Sequence, residues 1–472
     1  MDDSHAAVGA ESGHRSDAFV FFGATGDLAF KQIFPALAGL IHDEGLDIPI
    51  VGLARSGDLE SLRQRARQSL RAAGWTDAAT VQSLTDHLRY VKGGDDDPAT
   101  FQALRRELGQ ARHPIHYLAV PPTLFGTVVA NLDAAGCAAG ARVIVEKPFG
   151  HDLASARTLN RLIHETFAER DVFRIDHYLG KEAVQNLLYF RFANAFLEAL
   201  WNRDCVSSIQ VNMPEALDVA DRGAFYDQTG AIRDVVQNHL LQVVSLLAME
   251  PPAEPTPRAG MDQQFKLLSA LRPLGPGDVV RGQYRGYRQV KGVAPESTVE
   301  TFAALRLHID TARWTGVPFY VRTGKCLPVT VTEVRVDLRR PGRAVFGEHE
   351  PPDADYFRFR LTPDMSISLG TRAKKPGAAM VGEGVELYAA RQAGSVQPPY
   401  QRLIGDAIRG DPSLFTREDC VEAAWRVVDG VLDLDSRPDD YAPGTWGPAR
   451  AASVLRDGDR WHDPVEKEQP AQ

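Results

Sequence analysis

The stretch Arg174-Ile-Asp-His-Tyr-Leu-Gly-Lys-Glu182 gathers two cations, a histidine, a tyrosine and two carboxylates into nine residues. A helix is expected to begin near Gly180-Lys181, so His177, Tyr178 and Lys181 can converge on an anion that also meets the unpaired N–H groups of the first turn. Phosphate is the natural anion for such a set. Further on, Ile232-Arg-Asp-Val-Val-Gln-Asn-His-Leu240 places Asp234 and His239 on a helix otherwise apolar enough to be buried. A lone histidine there is more often a satisfied core residue. Asp176 offers another reading, because a carboxylate beside an imidazole fixes its tautomer and raises its basicity, as in a general base with its orienting group. Spacing alone does not bring the two together.

A second set of residues points to a dinucleotide. Phe21-Phe-Gly-Ala-Thr-Gly-Asp-Leu-Ala29 follows an apolar strand and opens a helix. Gly23, Gly26 and Ala29 are small enough for the backbone to approach a pyrophosphate, and Thr25, Asp27 and Leu28 complete the turn. The next strand, IPIVGLA, would present an acid to the ribose of NAD, yet it ends in Arg55. Arginine suits a 2′-phosphate, with Thr25 as a further hydroxyl donor, so NADP is expected over NAD. Val145-Glu-Lys-Pro-Phe-Gly150 ends another strand with a charged pair and a proline, and Lys147 would face the ligand crevice at that strand end.

These residues need elements to hold them. Between residues 18 and 176 short apolar runs alternate with amphipathic stretches, the pattern of a parallel sheet covered by helices on both faces. Beyond that, long helical segments precede period-two segments: Val334, Val336 and Leu338, then Phe357, Phe359 and Leu361, then Met365, Ile367 and Leu369. They predict an antiparallel sheet with one solvated face. The expected architecture is an N-terminal Rossmann-like dinucleotide-binding α/β domain over 18–176 and a larger α+β domain over 177–463, with disordered tails at 1–17 and 464–472. RIDHYLGKE lies at the seam.

Composition narrows the function classes. A formal charge of -9 argues against a nucleic-acid surface, so any anion site must be local. Ten of the 53 basic residues are lysines, and Lys147, Lys181 and Lys325 all fall in stretches singled out on other grounds. No run approaches a membrane span, and the four cysteines form no C-x-x-C pair, so a soluble cytoplasmic protein without a metal is expected.

FFGATGDLA, VEKPFG, RIDHYLGKE, FYDQTGAIRDVVQNHLLQ, RTGK, KKPG and YAPGTWGP follow one another in an order that resembles the glucose-6-phosphate dehydrogenases, over about residues 18 to 463. The resemblance implies NADP-dependent oxidation of β-D-glucose 6-phosphate to 6-phosphoglucono-1,5-lactone, with hydride passing from sugar C1 to nicotinamide C4. It implies that His239 is the general base and that Asp176 orients it. His177, Tyr178 and Lys181 would hold the 6-phosphate, Lys147 would bridge sugar and cofactor, and Glu215, Asp234 and Lys325 would bond sugar hydroxyls. A homodimer or homotetramer is implied as well.

The chain departs from the family pattern at Gln32, where a lysine is common, at Thr330, where a second basic residue is common after RTGK, and at Thr362, where many members place glutamine. Two other readings compete. One is a sugar oxidoreductase of the glucose-fructose oxidoreductase type, which would not need RIDHYLGKE. The other is a catalytically silent NADPH-binding regulator, which would have no chemical reason to keep Asp176, His239 and Lys181 together.

Overall fold

The computed structural model describes residues 14–343, 345–346, 354–377, 379–390 and 397–466. They form two compact units: described residues within Met1–Lys181, Glu254–Met261 and Val396–Glu422 make the first, and those within Glu182–Ala253, Asp262–Ser395 and Ala423–Gln472 the second. The division expected at 176/177 gives each domain one continuous stretch, whereas each unit is assembled from three.

In the first unit, β1 (Ala18–Phe22), β2 (Ile50–Ala54), β3 (Leu88–Lys92), β4 (Pro114–Leu118), β5 (Arg142–Glu146) and β6 (Val172–Ile175) form a six-stranded sheet in the order β3-β2-β1-β4-β5-β6. Every neighbouring pair is parallel. Strand β1, at the centre, is buried at all five positions, as expected of a sheet covered on both faces. Because all strands run one way, Gly23, Arg55, Lys147 and Asp176, which follow β1, β2, β5 and β6, share one edge. The order reverses between β1 and β4, where such sheets open a ligand crevice.

One packing partner of this sheet comes from far along the chain. The helix Pro399–Arg409 buries Leu403, Ile404, Ala407 and Ile408 in the same apolar cluster as Phe19, Phe21, Phe34 and Leu37. Gln401 Nε2 donates to Asp43 at 2.7 Å, and Ser16 N donates to the Ile408 carbonyl at 2.8 Å. Ser16 is buried and Asp17 accepts from the N–H groups of Arg112 and His113, so residues 16 and 17 of the expected N-terminal tail are anchored in the first unit. Residues 1–13 and 467–472 of the expected tails lie outside the described residues.

The second unit is built on a nine-stranded sheet. Its strands are β7 (Val206–Pro214), β8 (Val279–Tyr284), β9 (Phe302–Leu307), β10 (Phe319–Gly324), β11 (Thr332–Leu338), β12 (Tyr356–Thr362), β13 (Ser366–Lys374), β14 (Gly382–Ala390) and β15 (Asp439–Tyr441). Their order is β14-β13-β12-β11-β7-β10-β9-β8-β15. Neighbours are antiparallel except β7–β10 and β8–β15, which are parallel. A parallel neighbour demands a crossover, and the connection from β7 to β10 carries the helical residues 223–248, Asp234 and His239 among them.

The expectation of one solvated face fails at the centre of this sheet. Val334, Val336, Phe357, Phe359 and Leu361 are buried as read, but so are Asn212, Arg322, Glu333 and Arg360 on the opposite face. Residues 460–466 cover that polar face. Gln210 Nε2 donates to the Arg460 carbonyl at 2.9 Å, Arg322 to the His462 carbonyl at 2.8 Å, and Arg360 to the carbonyls of Val465 and Glu466. Residues 464–466 of the expected C-terminal tail are thereby held in place. Among the described residues no helix is long and apolar enough to cross a membrane.

Candidate active site

In the first unit the chain turns tightly after β1. Gly23 has φ +72°, and a Cβ there would stand 2.4 Å from the Ala119 carbonyl oxygen, so glycine is required. Gly26 N donates to the Gly23 carbonyl at 2.8 Å. The crest of the turn, Thr25, Gly26 and Asp27, is exposed, and Leu28 is half-buried, immediately before the helical segment that starts at Ala29. A closed turn with an open crest in front of a helix start fits a pyrophosphate. Arg65 Nη2 donates to the Gly26 carbonyl at 3.0 Å and braces the turn from outside. Arg55 is two-thirds exposed, and its guanidinium lies 3.5 Å from Asp95. Gln32 is exposed, and the nearby Lys31 pairs with Asp27 at 3.5 Å.

Lys147 follows β5, whose last residue is a half-buried acid. Tyr117 donates to Glu146 Oε1 at 2.5 Å, and Tyr400, at the start of the return helix, bonds the same carboxyl. Burial raises the Glu146 carboxyl above its ordinary range, against the pull of both tyrosines and of Lys147. Nothing local to β5 announces this pairing, because Tyr117 and Tyr400 lie 29 and about 250 residues away in the chain.

Asp176, only 2 % exposed, follows β6 and accepts from Tyr178 N at 2.9 Å. Further bonds from Leu179 N to Asp176 O (3.0 Å) and from Lys181 N to Tyr178 O (3.1 Å) wind the chain into a turn that ends where the helix Glu182–Ala193 begins. Within the turn the Lys181 ammonium sits 3.5 Å from the centre of the Tyr178 ring, and the His177 and Tyr178 rings meet edge to face at 5.0 Å. His177, Tyr178 and Lys181 are therefore gathered in one place. Arg174, the other cation of the motif, is not part of the gathering. It is buried, bonds Glu169 through Nη1 at 2.8 and 2.9 Å and Asn160 at 3.0 Å, and serves the packing of the first unit.

In the second unit Glu215 follows β7 and Lys325 follows β10, and the parallel pairing of those strands brings the two ends together. Lys325 Nζ lies 2.5 Å from Glu215 Oε2. Thr330 Oγ1 accepts from Ala216 N at 2.9 Å, so this departure from the family pattern supports the Glu215 loop. Thr362 ends β12, opposite Thr332.

Asp234 and His239 lie on the segment Ile232–Leu240, which is wound as a π-helix. Residues five apart diverge around an α-helix, but the i→i+5 winding brings them towards one face. His239 is buried and Asp234 is half-buried. The winding follows a break at Gly230 (φ 65°, ψ -178°). Beyond the break the Ile232 N–H is met by a buried carboxylate, Glu300, at 2.9 Å. Neither the π winding nor the role of Glu300 was legible in the sequence.

Residues 20–186 match the family model described as the NAD binding domain of glucose-6-phosphate dehydrogenase, and residues 188–462 match the C-terminal domain of the same family. A glucose-6-phosphate 1-dehydrogenase 1 of Mycobacterium tuberculosis (strain CDC 1551 / Oshkosh) is 42% identical over 457 residues, covering 96% of this chain and 97% of its own. One from Aggregatibacter actinomycetemcomitans is 39% identical, covering 94% and 97%. The crystal structure of the Mycobacterium avium glucose-6-phosphate 1-dehydrogenase superposes with a TM-score of 0.90 at 43% identity, covering 96% of this chain and 100% of the other. A glucose-6-phosphate dehydrogenase in complex with its substrate glucose 6-phosphate gives 0.89 at 34% identity, covering 95% and 100%. With both domain models matched in order along nearly its whole length, the chain belongs to the glucose-6-phosphate dehydrogenase family.

Proposed function

We propose that the protein oxidises β-D-glucose 6-phosphate at C1 to 6-phosphoglucono-1,5-lactone, with NADP as the hydride acceptor. The observation that carries this reading is the family match over both units, with the whole set of chemically apt residues present in it. NADP, when bound, supplies the nicotinamide carbon that accepts hydride. The chain's own residues do the rest. The turn at Gly23, Thr25, Gly26, Asp27 and Leu28 receives the pyrophosphate, Arg55 takes the 2′-phosphate, and Lys147 stands between cofactor and sugar.

In the same reading His177, Tyr178 and Lys181 hold the 6-phosphate, and their gathering in one turn supports it. Glu215, Asp234 and Lys325 bond the sugar hydroxyls. His239 removes the C1 hydroxyl proton, which makes departure of hydride from C1 possible, and Asp176 steadies the imidazolium that results. Residues 18–176 would thus serve the dinucleotide and 177–463 the sugar and self-association. The protein would work as a cytoplasmic homodimer or homotetramer, a state that light scattering would measure. The decisive test is NADP reduction with glucose 6-phosphate against free glucose. Fast reduction with the phosphate alone is expected. Equal rates would favour an oxidoreductase of unphosphorylated sugars, and no reduction with either would favour the silent regulator.

A further inference from the structure

We propose that Glu300 is a positioning residue for the reaction: its side-chain length, rather than its charge, sets the register of the segment that carries Asp234 and His239. The inference rests on the functional reading above.

The geometry is dense around one peptide. The Glu300 carbonyl accepts from Ala231 N at 3.0 Å, and its Oε1 accepts from Ile232 N at 2.9 Å. Two consecutive N–H groups at the head of the π-wound segment therefore end on one residue, where they would otherwise be orphaned. Glu300 is 3 % exposed, so water cannot substitute for it. The approach is possible because residue 230 is glycine: a Cβ there would stand 2.5 Å from Glu300 Oε1, at a φ of +65° that disfavours any side chain. The next residue faces the other sugar-side group. The Thr301 carbonyl accepts from Lys325 N at 2.9 Å, and Tyr441 Oη bonds the carbonyls of both Thr301 (3.3 Å) and Lys325 (2.6 Å). Glu300-Thr301 thus ties the head of the Asp234–His239 segment to the backbone of Lys325.

Charge is a poor explanation for a carboxyl at this place. Burial pushes its pKa up, and the Ile232 N–H with the cations Arg281 and Arg233 only partly opposes that. An amide oxygen at the same reach would accept the Ile232 N–H as well, whereas a carboxylate one methylene shorter would not reach it.

The test compares Glu300→Gln, which keeps reach and drops charge, with Glu300→Asp, which keeps charge and loses reach. Steady-state constants would be measured for glucose 6-phosphate and NADP, with the isotope effect from C1-deuterated substrate and the thermal midpoint. Glu300→Asp is expected to lower kcat by about 10- to 100-fold, as for a misplacement of the order of 1 Å, with a larger isotope effect and an unchanged KM for NADP. Glu300→Gln should stay within about threefold of the parent on the same measure. The reverse order would overturn the proposal, as would a Glu300→Asp variant that melts earlier but keeps the parent kcat. Should Glu300→Asp fail to fold, Gly230→Ala, which presses on the same carboxylate oxygen, must reproduce the kcat loss for the proposal to stand. A parent that does not reduce NADP with glucose 6-phosphate would defeat the functional reading and this inference with it; an active parent with an undisturbed Glu300→Asp variant would defeat the inference alone.

Discussion

At the scale of single residues, the proposed roles differ in what their loss should do. His239 is buried on a segment whose winding turns it towards the side of Asp234. If it is the base, His239→Asn should slow single turnover by roughly 10²–10⁴-fold while glucose 6-phosphate still binds, because only proton removal is lost. Asp176→Asn should be milder, since orientation and charge are weakened but the base remains; equal binding and near-parent turnover in His239→Asn would end the assignment. Lys181 lies against Tyr178 in the turn proposed to hold the 6-phosphate, so Lys181→Ala should cost at least ~2 kcal/mol in kcat/KM for glucose 6-phosphate and much less for free glucose. Arg55 is a different case. It is two-thirds exposed and already near Asp95, which leaves it screened. Arg55→Ala should therefore weaken NADP by about 1.5 kcal/mol, the lower end for a charged hydrogen bond, and leave NAD nearly unchanged in titrations of each cofactor.

At the scale of elements, the question is what aims these side chains. The turn over 176–181 lies directly against the helix Pro399–Arg409: a Cβ on Gly180 would meet Leu403 at 3.0 Å and the Pro399 carbonyl at 3.1 Å. Gly180→Ala should then cost about 1–2 kcal/mol in denaturant unfolding and raise the KM for glucose 6-phosphate, since the turn must shift to relieve the contact. An unchanged KM would mean that the turn is not aimed by that helix. This contact shows where sequence reading runs out. The strands of the first unit were legible because their apolar runs depend on neighbours a few residues away, and β11 and β12 because of their period of two. Leu403, Ile404, Ala407 and Ile408 have the spacing of a helix face, but nothing local says which core that face enters. Arg358 and Arg360, alternating with Phe357, Phe359 and Leu361, read as a solvated face because charged residues are seldom buried. Arg360 is buried against the carbonyls of Val465 and Glu466, far along the chain, and Arg358 against Ser368 and Glu386 on β13 and β14. The π winding of 232–240 escaped for the same reason, since its head is fixed by Glu300, 68 residues on. Among the residues of RIDHYLGKE, local spacing sufficed to gather His177, Tyr178 and Lys181, but not to tell that Arg174 is committed to Glu169 and Asn160.

At the scale of the whole molecule, the polar face of the nine-stranded sheet links stability to the end of the chain. Glu333 is fully buried at the centre of that face, and its Oε1 lies 2.7 Å from His462 Nε2. Burial alone would push its carboxyl up, but the bond from His462 and the cations Arg358 and Arg360 outweigh it, so its pKa falls below the ordinary value of 4.5. A carboxylate whose folded pKa is depressed contributes stability that is complete above its unfolded pKa and is lost as pH falls through the lower, folded one. Protonation at low pH cancels the negative charge to which the two arginines and His462 are matched. Ending the chain after Arg456 removes His462, Asp463 and the carbonyls of 460–466, leaving Glu333, Arg322 and Arg360 without those partners. Each buried charged group so stranded costs on the order of 1–3 kcal/mol, so the truncated chain should unfold well before the full chain in urea. The single substitution His462→Ala should cost about 1–3 kcal/mol near neutral pH, with the difference from the parent shrinking as the solution is acidified and Glu333 takes up a proton. Urea unfolding of both proteins through the carboxylate range measures this directly, and a gap that widened as pH falls through that range would refute the pairing as the source of the stability.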